Sequence, residues 1–193
     1  MEYSSSTPHK NRVDSTFIKL AVSWVIAILI ALGIQHFAFQ PYRVFGASME
    51  PTLHPGDYLI ISKLSTSWSN LRSDNYVPDR GDIVVFQANG VRLIKRVIGL
   101  PGETITIANG QVTVSNTEHP TGFDPYTQLG ISPVQTSGEL SVQVPDNEVF
   151  VIGDNRTGRN SGDSRNQLGT VSTDDIIGSL VLRLWPADTA KAF

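Results

Sequence analysis

The sequence predicts a mostly β domain behind a single N-terminal transmembrane helix, and three observations predict it. An apolar run over residues 17–39 is long enough to cross a bilayer. Behind it, short apolar or alternating runs recur between glycines and prolines, which is the pattern of strands. Two of those runs are joined by Asn109-Gly110, a pair that tolerates positive φ at both positions and so forms a two-residue hairpin turn.

Residues 1–16 are polar and serine-rich with no hydrophobic period, so they read as a disordered tail. As a helix, residues 17–39 span about 34 Å. The run competes as a core helix, a cleaved signal peptide or an anchor. It lacks the polar face of a core helix and no Ala-x-Ala site follows it, which favours the anchor. Lys10, Arg12 and Lys19 precede the run and only Arg43 follows closely. The positive-inside rule then keeps the N-terminus cytoplasmic and places residues 40–193 on the far side of a cell or thylakoid membrane.

Within residues 40–193, strands are expected at 58–62, 82–87, 93–98, 104–108, 111–115, 140–144, 148–152 and 176–185, with roughly 104–143 as an insertion. Segments 65–80 and 116–139 read as loops. Segment 154–167 is also loop-like, yet dense in side chains able to bond to one another.

A chain of 193 residues holds one ordinary domain and an appendage. Its net charge of -3 offers no basic field for nucleic acid. With no cysteine there is no disulfide, thiolate metal site or cysteine nucleophile. The histidines His9, His36, His54 and His119 lack metal-ligand spacing, so a metal is not expected.

Ser48 sits among small residues in Gly46-Ala47-Ser48-Met49-Glu50-Pro51-Thr52-Leu53, where a substrate backbone can approach closely. On context alone, a serine capping a turn is the commoner reading. A serine hydroxyl needs a base to act as a nucleophile. His54 is the best placed histidine, but no acidic partner motif accompanies it. Lys95, in Arg92-Leu93-Ile94-Lys95-Arg96-Val97-Ile98-Gly99, shares a strand face with Leu93 and Val97. An apolar face of that kind desolvates the ammonium and favours the neutral amine, although an edge-strand lysine that reaches solvent has the same pattern. A third cluster runs from Gly153-Asp154-Asn155-Arg156 to Asn160-Ser161-Gly162-Asp163-Ser164-Arg165. There Asp163 and Arg165 can pair, and Ser161 can orient a neighbouring amine.

Ser48 to Leu53 followed by Gly56-Asp57, Arg80-Gly81-Asp82-Ile83-Val84 with Lys95 to Glu103, and the third cluster occur in one order behind one apolar span. In this the chain resembles the type I signal peptidases, serine–lysine proteases of peptidase family S26, from Phe17 onward. The resemblance implies a β-rich catalytic domain, no cofactor, Ser48 as nucleophile, Lys95 as general base and Ser161 as the hydroxyl that positions the lysine. Asp163 and Arg165 then support the site. Two departures stand out: a slightly longer spacer at 157–160, and Gly46 where some members carry an oxyanion-hole serine.

The activity so implied is membrane-bound removal of N-terminal signal peptides from exported preproteins after small residues of Ala-x-Ala type. The substrate is expected to bind extended beside residues 40–45 and 92–94, with Val44, Met49, Leu53 and Ile94 lining shallow apolar pockets. Expected partners are preprotein signal peptides and the lipid bilayer, with no nucleic acid, for a monomeric enzyme. A soluble self-cleaving serine–lysine repressor lacks the anchor, and an anchored non-catalytic β domain lacks the chemistry.

Overall fold

The structure is a computed structural model that describes residues 15–64, 66, 76–156, 161–166 and 168–193. The expected tail before residue 15, most of the expected loop at 65–80 and the spacer 157–160 lie outside the described residues. The chain divides into two compact units, Met1–His36 and Phe37–Phe193.

Helix α1 covers Ser15–Ala38. Its stretch Thr16–Gly33 is long and apolar enough to cross a membrane and has no buried residue. A helix satisfies its backbone groups internally, which is the condition for a segment surrounded by hydrocarbon.

The second unit is β. In chain order its strands are β1 (Phe39–Arg43), β2 (Tyr58–Ser62), β3 (Ile83–Ala88), β4 (Val91–Gly99), β5 (Thr104–Ala108), β6 (Gln111–Ser115), β7 (Leu140–Gln143), β8 (Glu148–Ile152), β9 (Val171–Ser172), β10 (Ile176–Trp185) and β11 (Lys191–Ala192). The larger sheet runs β1-β2-β10-β3-β4-β8-β9, with β11 added to β10, and a smaller sheet runs β6-β5-β7.

Burial explains the layering. On β3, Ile83 and Val85 enter a cluster with Val44, Met49, Leu53, Leu59, Ile61 and Leu180, whereas Val84 and Phe86 enter another with Val97, Val149, Val151, Val171 and Ile176. Both faces of that strand are therefore covered, and its sequence is apolar at consecutive positions rather than alternating. Ile105, Ile107, Val112 and Val114 of the smaller sheet pack with Ile98, Phe150 and Ile152 of the larger one. The Asn109-Gly110 turn has φ of 51° and 78°, the left-handed conformation that its residue types allow.

Segment 116–139 is not entirely loop. It holds a short helix, α2 (Pro125–Gln128), opened by the Asp124 carboxylate, which accepts from Tyr126 N at 2.8 Å. An N-cap aspartate followed by proline is a helix start, but one turn is too short to show a hydrophobic period. The two-residue strands β9 and β11 escape sequence reading for the same reason.

Candidate active site

Ser48 lies half-buried in the loop between β1 and β2. Gly46 turns that loop with φ of 79°. Beyond Ser48, Leu53 N donates to Met49 O at 2.9 Å, so the chain turns and points both side chains inward. Met49 and Leu53 are consequently sealed in the core at 1% and 0% exposure. The loop's base is closed by Val44 N to Asp57 O and Gly56 N to Val44 O, each 2.9 Å. Arg183 of β10 holds its far end, donating to Thr52 O at 2.9 Å and pairing with Asp57 at 3.3 Å.

Lys95 stands near the middle of β4, in register with Val84 of β3, and is 3% exposed. Its Nζ is 2.8 Å from Ser48 Oγ and donates to Ile94 O at 2.8 Å. Burial pushes the Lys95 ammonium down to about 8; Asp163 and Asp154 pull against that shift and Arg165 adds to it. The neutral amine is thereby within reach near neutral pH, and a neutral amine at this distance can accept the hydroxyl proton.

The segment that follows β8 backs this pair. Asn155 N donates to Ser48 O at 3.0 Å, and Asn155 Nδ2 donates to Ala47 O at 3.0 Å. Gly153 packs so closely that a Cβ there would stand 2.4 Å from Ser48 O and 2.8 Å from Ser161 Oγ. Only glycine fits. Its N–H donates to Asp163 Oδ2 at 3.1 Å. Asp163 is fully buried and bound in a fork by Arg165 at 2.8 and 3.0 Å. Burial alone would raise the Asp163 pKa, but the Arg165 guanidinium reverses that and holds the carboxyl below its usual range.

Ser161 Oγ is buried beside the Asp163 carboxylate, which its hydroxyl helps hold below the usual range, and meets no other hydrogen-bond partner among the described residues. It crowds the same point as the Ser48 carbonyl, yet no bond to Lys95 is made; Nζ bonds to Ser48 Oγ and Ile94 O instead.

Two arginines at the site escape sequence reading. Arg96, beside Lys95, forks onto Asp154 at 2.6 and 2.9 Å and donates to Gly81 O at 2.8 Å. A charged residue inside an apolar strand demands a buried partner, and that demand was the available signal. Arg156 is 3% exposed, lies 3.8 Å over the Tyr126 ring, and donates to Thr136 Oγ1 at 3.2 Å and Gly153 O at 3.3 Å. Tyr126 sits on α2, too short an element to be anticipated.

A cleft of about 100 Å³ opens beside the dyad, walled by Val44, Leu59, Val85 and Ile94 together with Tyr42, Arg43 and Arg92. Val44 and Ile94 thus face it, whereas Met49 and Leu53, expected alongside them, belong to the core behind. Among the described residues no group of three or more histidines, aspartates or glutamates is placed to hold a metal ion.

The model of the family described as signal peptidase, peptidase S26, matches residues 17–185. The chain belongs to this family. Signal peptidase I T of Bacillus subtilis (strain 168) is 36% identical over 184 residues, covering 89% of this chain and 87% of its own. Signal peptidase I S of the same organism is 36% identical over 178 residues, with 89% and 90% covered. A probable signal peptidase I-2 of Synechocystis is 34% identical over 181 residues, with 90% and 75% covered. A crystal structure of a signal peptidase I from Enterococcus faecalis V583 is 28% identical, has a TM-score of 0.42, and covers 54% of this chain and 97% of its own. As an S26 peptidase, the chain is a serine peptidase and hence a hydrolase.

Proposed function

We propose that this chain is a membrane-bound endopeptidase that removes N-terminal signal peptides from exported preproteins, with Ser48 as nucleophile and Lys95 as general base. The observation that carries the reading is the 2.8 Å approach of the buried Lys95 Nζ to Ser48 Oγ. Neutral Lys95 takes the hydroxyl proton as Oγ attacks the scissile carbonyl carbon. The resulting ammonium returns that proton to the leaving amine, and the acyl-enzyme remains on Ser48. Water, deprotonated by Lys95, then releases the acyl group and restores the serine. The Ser48 N–H makes no hydrogen bond within the described residues and is free to face the oxyanion, a role that Gly46 cannot supplement with a side chain.

Ser161, close to the dyad, positions the lysine once substrate is bound, and Asp163 with Arg165 supports Gly153 beneath it. Val44 and Ile94 contact the residues before the cut. A cleft of about 100 Å³ admits small side chains, in keeping with an Ala-x-Ala preference. Helix α1 anchors the enzyme with its N-terminus cytoplasmic and residues 40–193 on the opposite side, where a preprotein's apolar segment ends. The enzyme acts as a monomer and needs no metal or organic cofactor.

Ser48→Ala and Lys95→Ala should each lower preprotein processing in detergent or lipid by about 10³-fold or more. Persistent cleavage by the Lys95→Ala protein would contradict the dyad.

A further inference from the structure

Four arginines of the β unit have carboxylate partners: Arg80 with Glu103, Arg96 with Asp154, Arg165 with Asp163 and Arg183 with Asp57. Arg43 and Arg92 have none among the described residues, and both line the cleft beside the dyad. Each lies instead over a tyrosine ring, Arg43 at 5.6 Å from the centre of Tyr58 and Arg92 at 5.7 Å from that of Tyr42. The rings support the guanidiniums while leaving their donors unused. Among the described residues no acidic side chain lines this cleft, so their charge there is opposite in sign to the chain's net charge of -3. The Tyr42 hydroxyl, on the same wall, is buried and has no hydrogen-bond partner.

Arg92 lies three residues along β4 from Lys95, a separation of about 10 Å in extended chain. Ile94, which faces the residues before the cut, lies between them. A polypeptide bound extended with its scissile carbonyl at Ser48 therefore brings its fourth or fifth residue before the cut to Arg92. A guanidinium offers a planar fork of donors that matches a carboxylate and repels a cation.

We propose that Arg92 and Arg43 make the cleft select an acidic side chain at the fourth or fifth residue before the cleaved bond. This rests on the reading of Ser48 and Lys95 as the catalytic pair. The recognised group is a carboxylate of the substrate chain.

The test uses the full-length protein in neutral detergent and a set of peptides with one Ala-x-Ala cut, carrying Asp, Asn or Lys at the second, fourth or fifth residue before it. At the fourth or fifth position, kcat/KM should favour Asp over Lys by about tenfold with Asn between, the scale of two partly exposed ion pairs gained against a repulsion. In the Arg43→Gln/Arg92→Gln protein that ratio should fall to about twofold or less. Equal cleavage of the Asp and Lys peptides, a preference confined to the second position, or a preference undiminished in the double variant would each overturn the proposal. So would a wild type without any Asp preference whose binding to phosphatidylglycerol vesicles is lost in the double variant, since the arginines would then serve a lipid headgroup. Failure to cleave even the Asn peptides would instead strike the dyad reading itself.

Discussion

Lys95 loses proton affinity because β4 holds its ammonium out of water, and that one displacement should set stability, and under the proposed mechanism activity, against pH. With the folded value about 8, kcat/KM should climb through a limb near pH 8, which a pH–rate profile of peptide cleavage checks. The unfolded chain binds this proton up to a pKa of 10.5. The unfolded state is thus the more protonated one between about 8 and 10.5, so stability rises with pH across that window. Below it the buried ammonium costs on the order of 3 kcal/mol. Lys95→Met should therefore raise the thermal midpoint at pH 7 while abolishing cleavage. The meeting of Ser48 with Lys95 was suggested by the order of motifs shared with the type I signal peptidases, since residue type alone left Ser48 readable as a turn cap and Lys95 as an edge-strand lysine. The place of Met49 and Leu53 was not legible, since the local turn that points them inward leaves no periodic trace.

At the scale of elements, Gly153 just past the end of β8 is held from both sides. Its N–H bonds to Asp163, and its carbonyl accepts from Arg156, whose guanidinium lies on the Tyr126 ring of α2. Gly153→Ala should drive a methyl into the Ser48 carbonyl and lower kcat by about 10²-fold or more, measured beside an unchanged far-ultraviolet circular dichroism spectrum. Tyr126→Leu removes the ring face under a buried guanidinium that keeps its bonds to Thr136 and Gly153, which should cost about 2 kcal/mol in denaturant unfolding. Tyr126→Phe keeps the face and loses only a hydroxyl without a hydrogen-bond partner, so it should be near neutral. The longer strands were legible because their periodicity and turn residues agree. The ties between loop and strand, such as Arg96 with Asp154 across 58 positions, were not, because nothing local specifies a partner so distant.

For the whole molecule, the order of the larger sheet could not be read from the chain. β10 inserts between β2 and β3, and its distant pairings, from Ile176 with Phe86 to Trp185 with Tyr58, are decided by which apolar faces fit together. Fold class and the N-terminal apolar helix were legible, because a long unbroken apolar run and short alternating runs between turn residues have different periods. The proposed topology predicts that protease added outside intact cells digests residues 40–193 and spares an epitope at the N-terminus. The most direct measurement of the central claim is acid-quenched mass spectrometry of the enzyme during turnover of a slow peptide ester. A covalent acyl group on Ser48 that is absent from the Lys95→Ala protein is the predicted result. An acyl group on another residue, or one that forms on Ser48 at the same rate without Lys95, would contradict it.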